Sequence, residues 1–204
     1  IYDESMEHDS CGVGLVASTE GIKSRKVVEQ GIEALKAVWH RGAIDADGKT
    51  GDGAGIHIEI PSDFFIEKIE NYGRKYDGGT ICVGMIFLPR NDYNSQEKCK
   101  TYVETEVLKS NFNIYRWRQV PTNNNVLGSK AEITRPEIAQ VLFTPKDKSL
   151  KGKDLERKLY ETRRKIENEC LKNHLNQLYI CSFSSKSIIY KGMFLAESLS
   201  EFYK

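Results

Sequence analysis

The stretch Cys11-Gly12-Val13-Gly14-Leu15-Val16-Ala17-Ser18 stands near the start of the sequence and decides which fold we expect. It is an apolar run with small residues on one side, and this pattern predicts a buried strand. The glycines at positions 12 and 14 leave open space near the Cys11 thiol, which a nucleophile needs in order to attack a carbonyl group. A buried cysteine more often serves only as a small apolar core residue, and that alternative stays open at this point.

The composition describes a globular chain without a strong overall charge. Its 204 residues include 39% hydrophobic side chains and 30 basic against 29 acidic groups, which gives a formal net charge of +1. A chain of this length buries enough surface to build a core, and its balanced charge provides no field that would concentrate nucleic acid. The longest apolar run, residues 81–88, is far shorter than the ~20 residues that cross a bilayer. We therefore expect neither a nucleic-acid partner nor a membrane span.

Cysteine usage and the amino-terminal residues indicate the compartment. The number of cysteines is odd, and no Cys-x-x-Cys pair occurs among them: Cys11, Cys82, Cys99, Cys170 and Cys181. This spacing favours free thiols in a reducing compartment and provides no cluster that would hold a metal, a flavin or an iron–sulfur centre in this segment. Residues 1–10 are acidic and lack the basic and apolar stretches of a secretory signal. We expect a cytoplasmic protein.

The hydrophobic periodicity predicts one domain of mixed strands and helices. Helices are expected from an N-cap at Ser24 to about residue 39, from Ser62 to about Tyr72, from Asn94 or Ser95 to about Leu108, and over residues 154–174. Further strands are expected at residues 56–60, 80–88, 113–120, 138–143, 178–182 and 187–190, with a Gly-rich loop at residues 41–55. The longest helix should bury a stripe formed by Leu155, Leu159, Ile166 and Leu171.

Several common motifs are poor matches. The loop Gly51–Gly55 lacks the glycine spacing of a dinucleotide site and the Lys-Ser/Thr of a phosphate-binding loop. Asp45, Asp47 and Asp52 resemble a calcium loop only superficially, because the oxygen ligands and the turn glycine do not alternate correctly. His8 and Cys11 have no second pair of ligands nearby, so a zinc site is not expected.

Cys11 lacks an obvious partner base, because His8 lies only three residues before it. Removal of the first ten residues would solve this problem. Cys11 would then carry a free α-amine, whose unperturbed pKa of ~7.7–8.0 lies close to working pH. Thiol and base would belong to one residue.

Three segments resemble the class II glutamine amidotransferase domain found in glutamate synthases. They are His8-Asp9-Ser10-Cys11-Gly12-Val13-Gly14, His40-Arg41-Gly42-Ala43 and Thr50-Gly51-Asp52-Gly53-Ala54-Gly55-Ile56. Later segments agree in order and approximate spacing, at residues 117–121, 126–128, 135–138, 155–160, 179–182 and 189–193. The resemblance therefore covers essentially the whole chain.

The resemblance implies an α+β fold, the four-layer αββα sandwich of the N-terminal nucleophile hydrolases, incomplete at its carboxyl end. Residues 1–10 would be a propeptide, and residues 11–204 would form the amino-terminal part of the amidotransferase domain. Cys11 would be the nucleophile and, once N-terminal, would supply its α-amine as base. Arg41 would orient the amino-terminal segment or stabilise negative charge, and Thr50–Gly55 would line one wall of the site. Trp117 and Arg118 are expected to be core and surface residues rather than catalytic ones.

The resemblance also implies the reaction and its partners. Glutamine would be hydrolysed to glutamate and ammonia, and ammonia would pass to downstream synthase domains that use FMN and an iron–sulfur cluster to aminate 2-oxoglutarate. A small electron-donating subunit or ferredoxin would supply electrons. The oxyanion hole and the carboxylate-binding residues would lie beyond Lys204, so we expect the 204-residue chain alone to be nearly inactive. Two alternatives stay open, a non-catalytic scaffold relative and a class II amidotransferase that feeds another acceptor.

Overall fold

The computed structural model describes residues 12–38 and 43–203. The helices are α1 (Arg25–Ala37), α2 (Ser62–Glu70), α3 (Tyr93–Lys109), α4 (Ser129–Thr134), α5 (Gly152–Lys172) and α6 (Leu199–Phe202). The strands are β1 (Ala54–Glu59), β2 (Cys82–Leu88), β3 (Phe112–Gln119), β4 (Glu137–Pro145), β5 (Tyr179–Ser184) and β6 (Ser187–Gly192). Each predicted helix and strand after residue 20 is present, with ends that move by a few residues.

The chain divides into two compact units. One unit contains the described residues before His57, Thr122–Thr134 and the described residues from Lys191 onward. The other unit contains His57–Pro121 and Arg135–Tyr190. The strands form a four-stranded sheet in the order β3-β4-β2-β5 and a two-stranded sheet of β1 and β6. Because β5 and β6 belong to different sheets, the polar residues 184–186 between them connect the two sheets instead of closing a hairpin.

The four-stranded sheet is antiparallel throughout, and β2 and β4 lie in its centre. Central strands are covered on both faces, which is why β2 is a nearly continuous apolar run. Gly84 of β2 pairs with Val141 of β4 on one side and with Phe183 of β5 on the other. A Cβ placed at Gly84 would lie within 2.8 Å of both of those side chains, so the sheet requires glycine at this position.

Helices α3 and α5 cover one face of this sheet and form the main core with it. Phe143 lies at the centre of the core, with its ring 5.2 Å from that of Phe112 and 4.9 Å from that of Phe183. The described cysteines are buried free thiols, as the sequence predicts. They are Cys82, Cys99, Cys170 and Cys181.

The opposite face of the sheet carries buried polar groups. Because successive side chains alternate, Gln140 of β4 points away from the face that Ala139 and Val141 give to the core. Its side chain accepts a hydrogen bond from Arg118 at 2.8 Å and donates one to the Tyr190 hydroxyl of β6 at 3.3 Å. The Ile189 backbone of β6 also donates to the Ser182 hydroxyl of β5 at 3.2 Å. In the unit that contains the four-stranded sheet, helices α3 and α5 therefore cover one face of the sheet, and residues of β6 contact its other face.

Of the two residues expected in this region, Trp117 lies where the sequence predicts and Arg118 does not. Trp117 packs partly buried against the core, as expected, and donates its indole N–H to Glu104 at 2.7 Å. Arg118 is not a surface residue, because its guanidinium is half-buried against Gln140 and lies 5.4 Å from the Phe64 ring centroid. Its hydrogen bond to a fully buried amide explains this placement.

Helices α1 and α3 each begin at a residue whose side-chain oxygen accepts a backbone N–H of the first helical turn. Ser24 caps α1 as predicted, because its hydroxyl accepts the Val27 N–H. The cap of α3 is Asp92 rather than Asn94 or Ser95, and its carboxylate accepts the Ser95 N–H at 3.0 Å and the Ser95 hydroxyl. A carboxylate at the helix N-terminus also interacts favourably with the helix dipole.

Two expectations are wrong. Residues 12–18, the described part of the predicted first strand, form no strand, and Val13 and Leu15 are 90% and 92% exposed. An apolar pattern identifies residues that suit a strand, but a strand also needs hydrogen-bonding neighbours, and neither sheet includes this segment. Leu171 is 66% exposed, and Cys170 takes the buried position in the last turn of α5.

Among the residues that the structure describes, no helix is long and apolar enough to span a membrane.

Candidate active site

The two predicted catalytic residues, Cys11 and Arg41, lie outside the described residues, as do residues 1–10 of the predicted propeptide. The structure describes their chain neighbours. On the carboxyl side of Cys11, residues 12–14 are exposed and open, and a Cβ at Gly14 would meet no atom within 4 Å. On the carboxyl side of Arg41, the described part of the predicted Gly-rich loop begins at Ala43 and leads into β1 at Ala54.

This loop, residues 43–53, is folded back on itself by short-range hydrogen bonds. The Asp52 carboxylate accepts the Ala43 N–H at 2.9 Å, and Ile44 forms an isolated antiparallel bridge with Gly51. The Asp45 N–H donates to the Thr50 carbonyl at 2.9 Å. The chain that follows Arg41 is therefore joined directly to Asp52, in the middle of the Thr50–Gly55 segment that we expect to line the site.

Asp47 organises the loop as a hydrogen-bond acceptor. Its carboxylate accepts the Thr50 N–H at 2.7 Å, the Thr50 hydroxyl at 2.6 Å and the Lys49 N–H at 3.0 Å. The hydrogen bonds from Thr50 and then from Lys49 hold the pKa of Asp47 well below its usual range. Asp47 is therefore ionised at neutral pH, and Thr50 beneath it is only 4% exposed.

The same carboxylates connect the loop to the start of α4. Asp47 accepts the Ser129 hydroxyl and the Lys130 N–H, both at 3.4 Å, and the Lys130 ammonium lies 2.7 Å from Asp45. This Lys130 hydrogen bond is the main reason why the pKa of Asp45 is lowered. Asp45, Asp47 and Asp52 thus bind protein donors and act as turn and capping groups. Among the described residues, no group of three or more His, Cys, Asp or Glu side chains is placed to hold a metal ion.

Glycines allow the loop to approach its neighbours closely. A Cβ at Gly51 would lie 3.0 Å from the Phe194 backbone. Gly53 has φ 129°, a conformation that other residues rarely adopt. The closest approach is at Gly128, where a Cβ would lie 2.3 Å from an Asp47 carboxylate oxygen and from the Thr50 hydroxyl, and 2.6 Å from the Thr50 nitrogen. The wall of the expected site is thus a tightly packed loop.

Gly128→Ala is expected to displace the Thr50 segment and to lower the free energy of unfolding by roughly 1–3 kcal/mol, because the added methyl group overlaps backbone as well as side-chain atoms. Urea unfolding measures the stability, and hydrogen exchange at the Thr50 amide measures the loop. Ser129→Ala is the matched control, because it removes only the 3.4 Å bond from an exposed hydroxyl. Equal stability and exchange in the two variants would contradict this account of the loop.

Comparison with known proteins identifies the family. The model of the class II glutamine amidotransferases matches residues 11–204. The chain belongs to this family. The amidotransferase is 51% identical over 202 residues to the glutamate synthase [NADPH] large chain of Azospirillum brasilense, covering 99% of the chain and 13% of that relative. The antiparallel sheets and packed helices of this chain are consistent with the α+β sandwich of the N-terminal nucleophile hydrolases.

Other relatives of the amidotransferase are ferredoxin-dependent. It is 38% identical over 202 residues to the ferredoxin-dependent glutamate synthase of Pyropia yezoensis, covering 97% of the chain and 13% of the relative. It is 39% identical over 205 residues to ferredoxin-dependent glutamate synthase 1 of Arabidopsis thaliana, covering 100% of the chain and 12% of the relative. The chain therefore spans a small part of the length of each of these relatives.

Sequence reasoning missed the residues that hold the loop of the amidotransferase in place. The acidic residues of the loop suggest Asp47 only as a metal ligand, although the spacing Asp47-x-x-Thr50 is typical of a turn in which the carboxylate accepts a nearby backbone N–H. Gly128 and Lys130 gave no comparable signal, because their contacts with the loop join residues far apart in the sequence.

Proposed function

We propose that this amidotransferase hydrolyses glutamine to glutamate and ammonia, and that the ammonia serves glutamate synthesis from 2-oxoglutarate in a parent glutamate synthase. The observation that carries the proposal is the family match, which begins at Cys11 and extends to residue 204. The names of the relatives support the synthase part of the proposal, since those from Azospirillum brasilense, Pyropia yezoensis and Arabidopsis thaliana are all glutamate synthases.

In this proposal, Cys11 is the nucleophile and becomes the first residue when the propeptide, residues 1–10, is removed. Its α-amine takes the thiol proton, and the thiolate attacks the side-chain amide carbon of glutamine. Ammonia leaves with a proton returned by the amine, and water then hydrolyses the thioester to release glutamate. Residues 11–204 supply the amino-terminal part of this domain.

Arg41 is proposed as the cation that orients the amino-terminal segment or stabilises negative charge during the attack. A guanidinium suits this role because it stays ionised and presents several donors in a fixed plane. Thr50–Gly55 is proposed as one wall of the site. The hydrogen bond between Ala43 and Asp52 supports this assignment, because it joins that wall to the chain just after Arg41.

The parent enzyme would contain the remaining chemistry. Downstream domains of the same protein are proposed to hold FMN and an iron–sulfur cluster, with no cofactor in the present segment. The electrons would come from a small electron-donating subunit or from ferredoxin, and the relatives carry names that include NADPH or ferredoxin. We propose the cytoplasm as the compartment, because the described cysteines are free thiols.

The test uses the full-length protein produced in its native host. Mass spectrometry of the amino-terminal peptide should show that the mature protein begins at Cys11, and the same preparation should release glutamate and ammonia from glutamine. An active enzyme that retains residues 1–10 would exclude the α-amine as the base. A correctly processed protein that hydrolyses no glutamine would refute the proposed activity.

A further inference from the structure

A cavity of about 490 Å³ lies beside β3, the outermost strand of the four-stranded sheet. Three parts of one compact unit line it: the carboxyl half of α3, strand β3 and the segment just after α2. Its volume lies within the range of roughly 300–1,000 Å³ that small-molecule sites occupy. None of its lining residues has a part in the proposed hydrolysis of glutamine.

Part of the cavity wall offers a surface for an apolar ring. Ile114 and Trp117 of β3 pack partly buried against the core. Leu108 of α3 and Tyr72 also line the cavity, and they are 50% and 72% exposed. These side chains leave apolar surface in contact with water, which a planar hydrocarbon ring would cover.

The wall is ordered before any ligand arrives. The register of β3 against β4 shifts between Ile114 and Arg116, which makes Tyr115 the extra residue of a bulge. Tyr115 is only 8% exposed, and its hydroxyl accepts the Asp77 N–H at 3.1 Å. This bond joins the segment after α2 to β3. A ligand that enters such a cavity loses little free energy to the ordering of its walls.

Arg116 supplies a fixed cation. Its guanidinium carbon lies 3.2 Å from the Tyr72 ring centroid, and its Nε and Nη1 atoms donate to the carbonyls of Trp117 and Lys68 at 3.1 and 3.2 Å. These bonds engage two of the five guanidinium N–H groups and leave three for a ligand. Arg74, the second arginine of the cavity, is exposed, and neither arginine is paired with a carboxylate in the described part of the chain.

Glu104 of α3 brings the opposite charge into the same cavity. One of its carboxylate oxygens accepts the Trp117 indole N–H at 2.7 Å. Within residues 12–38 and 43–203, the other oxygen accepts no hydrogen bond, and Glu104 forms no ion pair with Arg74 or Arg116. The unlike charges therefore line one cavity without pairing, and this arrangement is complementary to a ligand that carries both charges.

We propose that this cavity binds a free aromatic amino acid such as phenylalanine. Arg116 and Arg74 bind its carboxylate, and Glu104 binds its ammonium group. Its ring covers the apolar surface of Trp117 and Leu108. A zwitterion satisfies both signs of charge, whereas a polyanion such as a nucleotide would place negative charge against the Glu104 carboxylate.

The test is equilibrium dialysis of the full-length protein against radiolabelled L-phenylalanine. We expect saturable binding with a dissociation constant of about 1 mM or lower, given the free energy that a ligand of this size gains per atom. Unlabelled 3-phenylpropionate lacks the ammonium group, and 2-phenylethylamine lacks the carboxylate. Each should compete at least about tenfold less well than unlabelled L-phenylalanine, because each leaves one charged group of the cavity without its partner.

Two variants remove one charge each. Arg74→Gln changes an exposed side chain, and Glu104→Gln keeps an oxygen that can accept the Trp117 N–H. Each should weaken the binding of L-phenylalanine at least about tenfold. Lys75→Gln and Glu97→Gln are the matched controls, because both residues lie on the same segments as the first pair but do not line the cavity. Both controls should bind L-phenylalanine as the unmodified protein does.

A change in selectivity separates a lost charge from a damaged fold. Glu104→Gln should abolish the preference for L-phenylalanine over 3-phenylpropionate, because the analogue has no ammonium group for Glu104 to bind. A variant that had lost structure would instead bind both compounds less well and keep the preference in any protein that stays folded.

Three results would overturn the proposal. The first is the absence of saturable binding up to about 10 mM L-phenylalanine. The second is equal competition by L-phenylalanine and its two analogues in the unmodified protein, a result that needs no variant to fold. The third is binding that neither Arg74→Gln nor Glu104→Gln weakens, because the ligand would then occupy another site, such as the one proposed for glutamine. The readout is bound phenylalanine, so the proposal is judged independently of glutamine hydrolysis.

Discussion

Replacing Cys11 by Ala is expected to lower glutamine-dependent glutamate synthesis by at least about 10⁴-fold, because the variant lacks the sulfur atom that we propose as the nucleophile. Ammonia-dependent synthesis by the same full-length protein should stay close to the unmodified rate. In the proposed parent enzyme, ammonia supplied from solution enters after the hydrolysis step, and the substitution does not touch the proposed synthase domains. Steady-state rates with glutamine and with ammonium chloride measure the two activities in parallel.

Two variants make this experiment specific. Cys11→Ser retains the shape and a hydroxyl group but loses the easily formed thiolate, so its glutamine-dependent rate should also fall by orders of magnitude. Cys82→Ala is the matched control, because it removes a thiol from the core far from residue 11 in the sequence. It should retain both activities at a cost of about 1 kcal/mol in stability. Glutamine-dependent activity that survives in Cys11→Ala would make Cys11 a core residue after all.

Phe143→Ala is expected to have the largest effect on stability, with a loss of roughly 3–5 kcal/mol in the free energy of unfolding. The ring is fully buried on the central strand β4 and contacts the rings of Phe112 and Phe183. Truncation removes apolar contacts and leaves a cavity between the sheet and helices α3 and α5. Urea unfolding monitored by circular dichroism measures the change.

The size of the cavity should set the size of the effect. Phe143→Leu refills most of the space and should cost under about 1.5 kcal/mol. Tyr160→Ala is the matched control, because this aromatic side chain on α5 is 63% exposed, and surface truncations of this kind stay within about 0.5 kcal/mol. A stability of Phe143→Ala close to that of Tyr160→Ala would mean that the aromatic cluster is not the centre of the core.

Local patterns in the sequence predicted the elements whose stability depends on residues close in the chain. The alternation of Ile56, Ile58 and Ile60 correctly predicts a half-buried strand, because successive side chains of a strand point to opposite faces. Ser24 correctly predicts a helix start, since its hydroxyl needs only a backbone N–H three residues away. The family match confirms the identification that came from the order of the motifs.

Features that depend on distant partners were predicted less well. Whether residues 12–18 form a strand depends on a neighbouring strand, and whether β6 pairs with β5 or with β1 depends on the whole topology. The roles of Asp47 and Gly128 depend on a loop and a helix that are far apart in the sequence. The assignments of Cys11 and Arg41 stay predictions, because both residues lie outside the described part of the chain.

The pairing of β1 with β6 has a consequence for synthesis on the ribosome. β1 ends at Glu59 and its partner begins only at Ser187, so β1 emerges from the exit tunnel long before β6 exists. The four-stranded sheet needs no residue beyond Ser184. The nascent chain therefore carries β1 as an unpaired strand until β6 has been synthesised, a state that favours association with other chains and binding by chaperones. Pairs with such high contact order also close slowly, so formation of the two-stranded sheet should be a late step in folding.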